Sequence, residues 1–143
     1  MKQANRQRRE TGFTLIEVMV VVVILGILAS VVVVRVIDKP DEARIVKAKQ
    51  DILALEGALG CYKLDNHVYP STDEGIEALV SKPASARNWK QNGYVARLPK
   101  DPWDTPYQYL NPGVHGAIDI YSLGADKQPG GEGLNADIGN WDL

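Results

Sequence analysis

From Val18 to Val34 the chain carries 17 residues without a charge. A helix rises about 1.5 Å per residue, so this run covers roughly 25 Å, close to the hydrocarbon depth of a bilayer. Starting the count at Phe13 takes the stretch past that depth. Glu17 complicates the picture. It stands near the start of the apolar stretch with no basic residue close by in sequence. A carboxylate at the bilayer centre costs on the order of 2.5–3.5 kcal/mol on insertion scales, so it asks for a partner or a function.

A chain of 143 residues is enough for one domain plus appendages. Its net charge of −2 is unevenly spread. Four of the 16 basic residues (Lys2, Arg6, Arg8 and Arg9) and one of the 18 acidic ones (Glu10) fall in residues 1–12, leaving −5 for the rest. The basic end reads as a cytoplasmic flank and not as a nucleic-acid site, with the remainder outside the cytoplasm. The single cysteine, Cys61, cannot close an internal disulfide. It falls in an apolar helical pattern and is expected to pack as a small hydrophobe.

A basic segment followed by an apolar run is also the pattern of a secretory signal peptide. Here the run is longer than an h-region of about 7–15 residues, and no small-x-small site ends it. The distinctive residues lie before it, in Arg9-Glu10-Thr11-Gly12-Phe13-Thr14-Leu15-Ile16-Glu17. This string resembles the processing motif of type IV pilins and pseudopilins. The resemblance implies cleavage by a prepilin peptidase between Gly12 and Phe13, followed by N-methylation of Phe13. The apolar segment then stays on the mature chain. A glycine suits a protease cleft because its backbone can approach closely. Cleavage also gives Glu17 a candidate partner, the new Phe13 amine of an adjacent subunit, since pairing recovers much of the cost of a charge in hydrocarbon. The alternative is a glutamate that snorkels to the interface.

Beyond Arg35 helical periodicity continues. Ile45, Ala48, Ile52, Leu55, Leu59 and Tyr62 recur three and four apart, forming one stripe, with Lys47, Lys49, Asp51, Glu56 and Lys63 on other faces. Pro40 is the breaker, predicting a kink or short interruption. The spacing predicts a long, bent helix from about Phe13 to about Leu64. The resemblance implies that its first half forms a filament core. Pilins often have a proline where this chain has Val34, and without it local melting would rest on Gly26 or on the β-branched valines.

In the second half, Ser71 and Glu74 have capping-box spacing ahead of a short helix over 75–80 that Pro83 ends. Residues 81–93 read as a loop. Tyr94–Leu98, Pro106–Leu110 and Ala117–Leu123 read as short strands, with Ile118 and Ile120 facing the long helix and Asp119 and Tyr121 facing away. The fold class is α+β: a long N-terminal helix, membrane half plus amphipathic half, packed on a small antiparallel β-sheet, pilin-like. The predicted organisation is a leader over 1–12, an apolar transmembrane and filament-core helix over 13–36, an amphipathic helix over 37–64 and a globular domain over 65–143.

Several stretches of this half are similar to one branch of the family, the major pseudopilins of type II secretion. They are Tyr62–Asn66, Tyr69–Thr72, Leu98–Trp103, Pro106–Tyr109, Tyr121–Asp126 and Asp137–Trp141. Asp104 departs from the glycine usual after Asp-Pro-Trp, leaving the conformation of that turn open. The absence of a C-terminal cysteine pair disfavours an adhesive type IV pilin.

Between Leu123 and Trp141, Asp126, Glu132 and Asp137 are set among Gly130, Gly131 and Gly133. Oxygen ligands on a glycine-rich loop suit calcium, although the spacing is not that of an EF-hand and composition alone favours a solvated turn. The resemblance implies a structural Ca2+ held by the Leu123 carbonyl, Asp126, Asn135 and Asp137.

Nothing in the sequence supports catalysis. There is no phosphate loop, so a separate ATPase must drive assembly. His67 and His115 lie in loops, and Trp89, Trp103 and Trp141 read as core or subunit-contact residues. The resemblance implies a subunit that polymerises with itself, with prepilin peptidase, minor pseudopilins, an inner-membrane assembly platform and inner-membrane lipid as partners, and no nucleic acid. A type IV pilus subunit and a monomeric membrane-anchored binding domain are the alternatives.

Overall fold

The structure is a computed structural model that describes residues 12–37 and 39–143, with side chains of residues 31–37 and Lys39 outside the description. The leader, up to Thr11, and the side chain of Val34 therefore lie outside the described residues. The chain divides into two units, with the boundary between Lys39 and Pro40.

The first unit contains helix α1, Leu15–Ile37. From Leu15 to Leu28 its large apolar side chains are about half exposed or more, as an apolar helix without a covering partner must be. Among the described residues, no helix is long and apolar enough to cross a membrane. A membrane reading of 13–36 thus rests on the sequence, including the valines at 31–34.

Helix α2, Lys39–Asn66, lies in the second unit apart from its first residue. The stretch expected as one helix is helical on both sides of residue 38, which lies outside the described residues, and Pro40 follows two residues after that position. The predicted stripe is the buried face of α2: Ala48, Ile52 and Leu59 are 0% exposed, and Leu55 and Tyr62 1%. Cys61 falls outside that stripe and is exposed, correcting the expectation that it packs in the core. It follows Gly60 on the half of the helix that carries Leu64, turned away from the sheet.

Three strands form the antiparallel sheet: β1 (Gln108–Leu110), β2 (Asp119–Ser122) and β3 (Ile138–Gly139), in the order β1-β2-β3. Tyr109 pairs with Ile120, and Ser122 with Ile138. Ile118, Ile120, Tyr107, Tyr109 and Ile138 join the α2 stripe in one core. Polar ties cross the same interface: the Tyr107 hydroxyl donates to Asp51 Oδ2 at 2.9 Å, and Asn140 Nδ2 to Glu56 Oε1 at 3.3 Å. Burial, then the neighbouring Asp51 carboxylate, push the Tyr107 hydroxyl well above the usual tyrosine range, so it stays a donor.

Two local expectations change. Tyr94–Leu98 is not a strand: Tyr94 N donates to Leu79 O at 2.7 Å, which folds the segment against a short helical turn. That turn, Ile76–Leu79, is the expected short helix, in 3-10 form. The capping box ahead of it is present and reciprocal, with Ser71 N donating to Glu74 Oε2 at 2.9 Å and Glu74 N to Ser71 Oγ at 3.2 Å. Asp119, expected to face away from the core, is 1% exposed.

Candidate functional site

At the N-terminus, α1 begins immediately after the segment expected to be processed. Glu17 N donates to the Thr14 hydroxyl at 3.3 Å, and Val18 N donates to Thr14 O at 3.3 Å. Thr14 is therefore the N-cap, satisfying donors that the first helical turn leaves open. Thr14 and Glu17 have the same capping-box spacing as Ser71 and Glu74, a signal legible in the sequence beneath the processing motif. Phe13 lies outside the helix and is 85% exposed. Glu17 is the acid of the first turn, where the helix dipole favours a negative charge. It forms no ion pair among the described residues. Phe13, Glu17, Val18, Val21 and Val22 line one concave strip of this helix.

At the other end, residues 123–137 form a loop closed at its base. Ala125 N donates to Leu134 O at 3.0 Å. Gly124 has φ +69, and a Cβ there would meet Ala136 O at 2.8 Å, so glycine is needed both for the conformation and for the approach of the two strands of the loop. Asp137 Oδ2 accepts the Gly130 N–H at 2.9 Å, and Asp126 Oδ1 accepts that of Gln128 at 3.0 Å. Asp137 Oδ1 is buried and has no hydrogen-bond partner. A half-satisfied buried carboxylate is costly unless a further positive group meets it. Among the described residues, no three Asp, Glu, His or Cys side chains gather as a metal cluster. A cation at this loop would need backbone carbonyls and an amide beside the carboxylates, a donor set that suits calcium and not a transition metal.

The other residues of interest are structural. Trp89 Nε1 donates to Ala78 O at 2.8 Å, and Trp103 packs on the core. Trp141 stacks on His115 with ring centroids 3.8 Å apart. His67 is exposed at the end of α2 with φ 66.

Residues 35–141 match the family model described as type II secretion system (T2SS), protein G. The chain belongs to this family. Residues 7–33 also match the prokaryotic N-terminal methylation motif. The type II secretion system core protein G of Vibrio cholerae is 60% identical over 141 residues, covering 97% of each chain. That of Pseudomonas aeruginosa is 57% identical over 140 residues, covering 96% of this chain and 99% of the relative. The crystal structure of the major pseudopilin from the type 2 secretion system of enterohaemorrhagic Escherichia coli superposes with a TM-score of 0.68 at 48% identity. It covers 75% of this chain and 94% of its own. As a protein G family member the chain is a major pseudopilin, a structural subunit of the secretion pseudopilus, and the pilus and monomeric-anchor alternatives are not favoured.

Proposed function

We propose that this pseudopilin is made as a single-pass inner-membrane precursor with residues 1–12 in the cytoplasm and the domain from 65 onward in the periplasm. Prepilin peptidase cuts between Gly12 and Phe13, and Phe13 is N-methylated. Residues 13–36 serve first as the membrane anchor and then as the filament core, while the amphipathic stretch 37–64 carries the globular domain. Glu17 pairs with the Phe13 amine of an adjacent copy and sets the register of assembly. The filament then drives folded proteins across the outer membrane, in contact with minor pseudopilins and the inner-membrane assembly platform. The protein itself is not an enzyme.

The observation that carries this reading is the start of α1. Thr14 caps the helix so that Phe13 stays outside it, and Glu17 sits one turn further on an apolar surface without an ion-pair partner among the described residues. Intact-mass and N-terminal analysis of the purified native protein tests it. The expected mature chain begins at methylated Phe13. Glu17→Ala is expected to leave cleavage intact and abolish normal filaments. A functional protein beginning at Met1, or normal filaments from Glu17→Ala, would overturn the corresponding step.

We also propose a structural calcium ion in the C-terminal loop, held by Asp126, Asp137, the Leu123 carbonyl and Asn135. The buried, unpartnered Asp137 Oδ1 supports this reading. When bound, the ion supplies charge compensation and ties the two sides of the loop together. Binding only the folded form, it stabilises the domain by mass action.

A further inference from the structure

Asp101 lies far from the loop in sequence, in the Leu98–Trp103 stretch, yet its side chain is buried beneath it. Its residue exposure is 4%, and that of Ser122 is 0%. Asp101 Oδ1 accepts the N–H groups of Trp103 at 3.0 Å and Thr105 at 2.7 Å. Those two bonds hold the carboxylate in one orientation within its own turn, which Asp101 N closes by donating to Thr105 O at 2.9 Å. The other oxygen, Oδ2, accepts the Ser122 hydroxyl at 2.6 Å. With its proton directed at Asp101, the Ser122 oxygen presents a lone pair to Gly124, whose N–H donates to it at 3.2 Å.

The Gly124 N–H and the Leu123 carbonyl belong to the same peptide unit. That unit is planar and trans, so the two groups point in opposite directions, and fixing one fixes the other. We infer that Asp101 and Ser122 are positioning residues for the cation loop: through Gly124 N–H they aim the Leu123 carbonyl. The arrangement parallels the outer-shell hydrogen bonds that orient ligands at metal sites, whose loss typically weakens affinity by about 10–100-fold. The inference rests on the calcium reading above and extends it to two residues that never touch the ion.

Calorimetric titration of Ca2+ into the full chain in detergent micelles tests it, alongside urea unfolding of the same samples in chelator. Ser122→Ala is expected to weaken the calcium Kd about 10-fold or more. If Ser122→Ala does not fold, Ser122→Cys carries the same expectation with the volume kept, because a thiol is a weak acceptor. Tyr109→Phe is the control for lost stability. It removes a buried hydrogen bond to Pro70 O, 2.8 Å long and outside the loop, and should leave the Kd as in the unaltered chain. A Ser122 variant that is destabilised like Tyr109→Phe but keeps the original Kd would make Ser122 a packing residue and overturn the inference, leaving the calcium site intact. Failure of the unaltered chain to bind Ca2+ would instead remove the site itself, and the inference with it.

Discussion

His115 Nδ1 lies 3.0 Å from Asp119 Oδ2, a carboxylate whose side chain is 2% exposed. The same carboxylate accepts the N–H groups of Val114 at 2.8 Å and of His115 at 3.1 Å. Gly113 allows this approach, since a Cβ there would meet Asp119 Oδ1 at 2.5 Å. Burial by itself would raise the Asp119 carboxyl, but the hydrogen bonds from His115 and Val114 outweigh it and hold the group below the usual range. A lowered folded-state pKa contributes stability above the unfolded value, about 3.9, that is lost as pH falls through the folded value. Melting temperature should therefore fall as pH drops below about 4, and Asp119→Asn should flatten that slope. Asp119→Ala, which strands buried donors, should cost about 1–3 kcal/mol at neutral pH in urea unfolding.

Asp104 adopts φ 62, a left-handed conformation that glycine takes freely and aspartate tolerates. Its carboxylate accepts Lys100 Nζ at 3.0 Å, with both side chains well exposed, so the pair contributes little and is screened by salt. The turn thus keeps a glycine-type geometry with an aspartate in it. Asp104→Gly should raise the melting temperature by a few degrees, and Asp104→Val, branched at Cβ, should lower it. Thermal unfolding at low and high salt checks both outcomes.

Leu59 is fully buried on the α2 face that meets the sheet. Leu59→Ala should destabilise the domain by about 2–5 kcal/mol, through lost apolar burial and the cavity left behind. Leu53, 53% exposed on another face of the same helix, should tolerate alanine within about 0.5 kcal/mol. Urea denaturation of the two variants separates a packed stripe from a solvated face.

The buried oxygen of Asp137 provides a direct check on calcium. At a Ca2+ concentration 100 times Kd, binding should add about 2.7 kcal/mol of stability that a chelator removes. Asp137→Asn keeps the shape but not the charge, and should abolish the calcium-dependent rise in melting temperature. An identical melting curve with and without chelator in the unaltered chain would exclude the ion.

The α2 stripe, the apolar character of α1, the processing motif and the family can all be read from the order of residues alone. Each is a local pattern: a period of three to four residues, an uncharged run, or a short string read in order. Other features depend on which residues become neighbours in space. Cys61 has an apolar setting in sequence, yet the pitch of α2 turns it outward while Tyr62 goes inward. Asp119 alternates with two isoleucines and reads as solvent-facing, but the turn at Gly113 brings three donors around it and makes its burial affordable. β3 is two residues long, too short for any periodicity, and exists because Tyr121 and Ser122 offer it a free edge. The same holds for Asp101 and Ser122, 21 residues apart. Their hydrogen bond ties a turn to a loop base, a connection created only when the sheet and α2 close on one core.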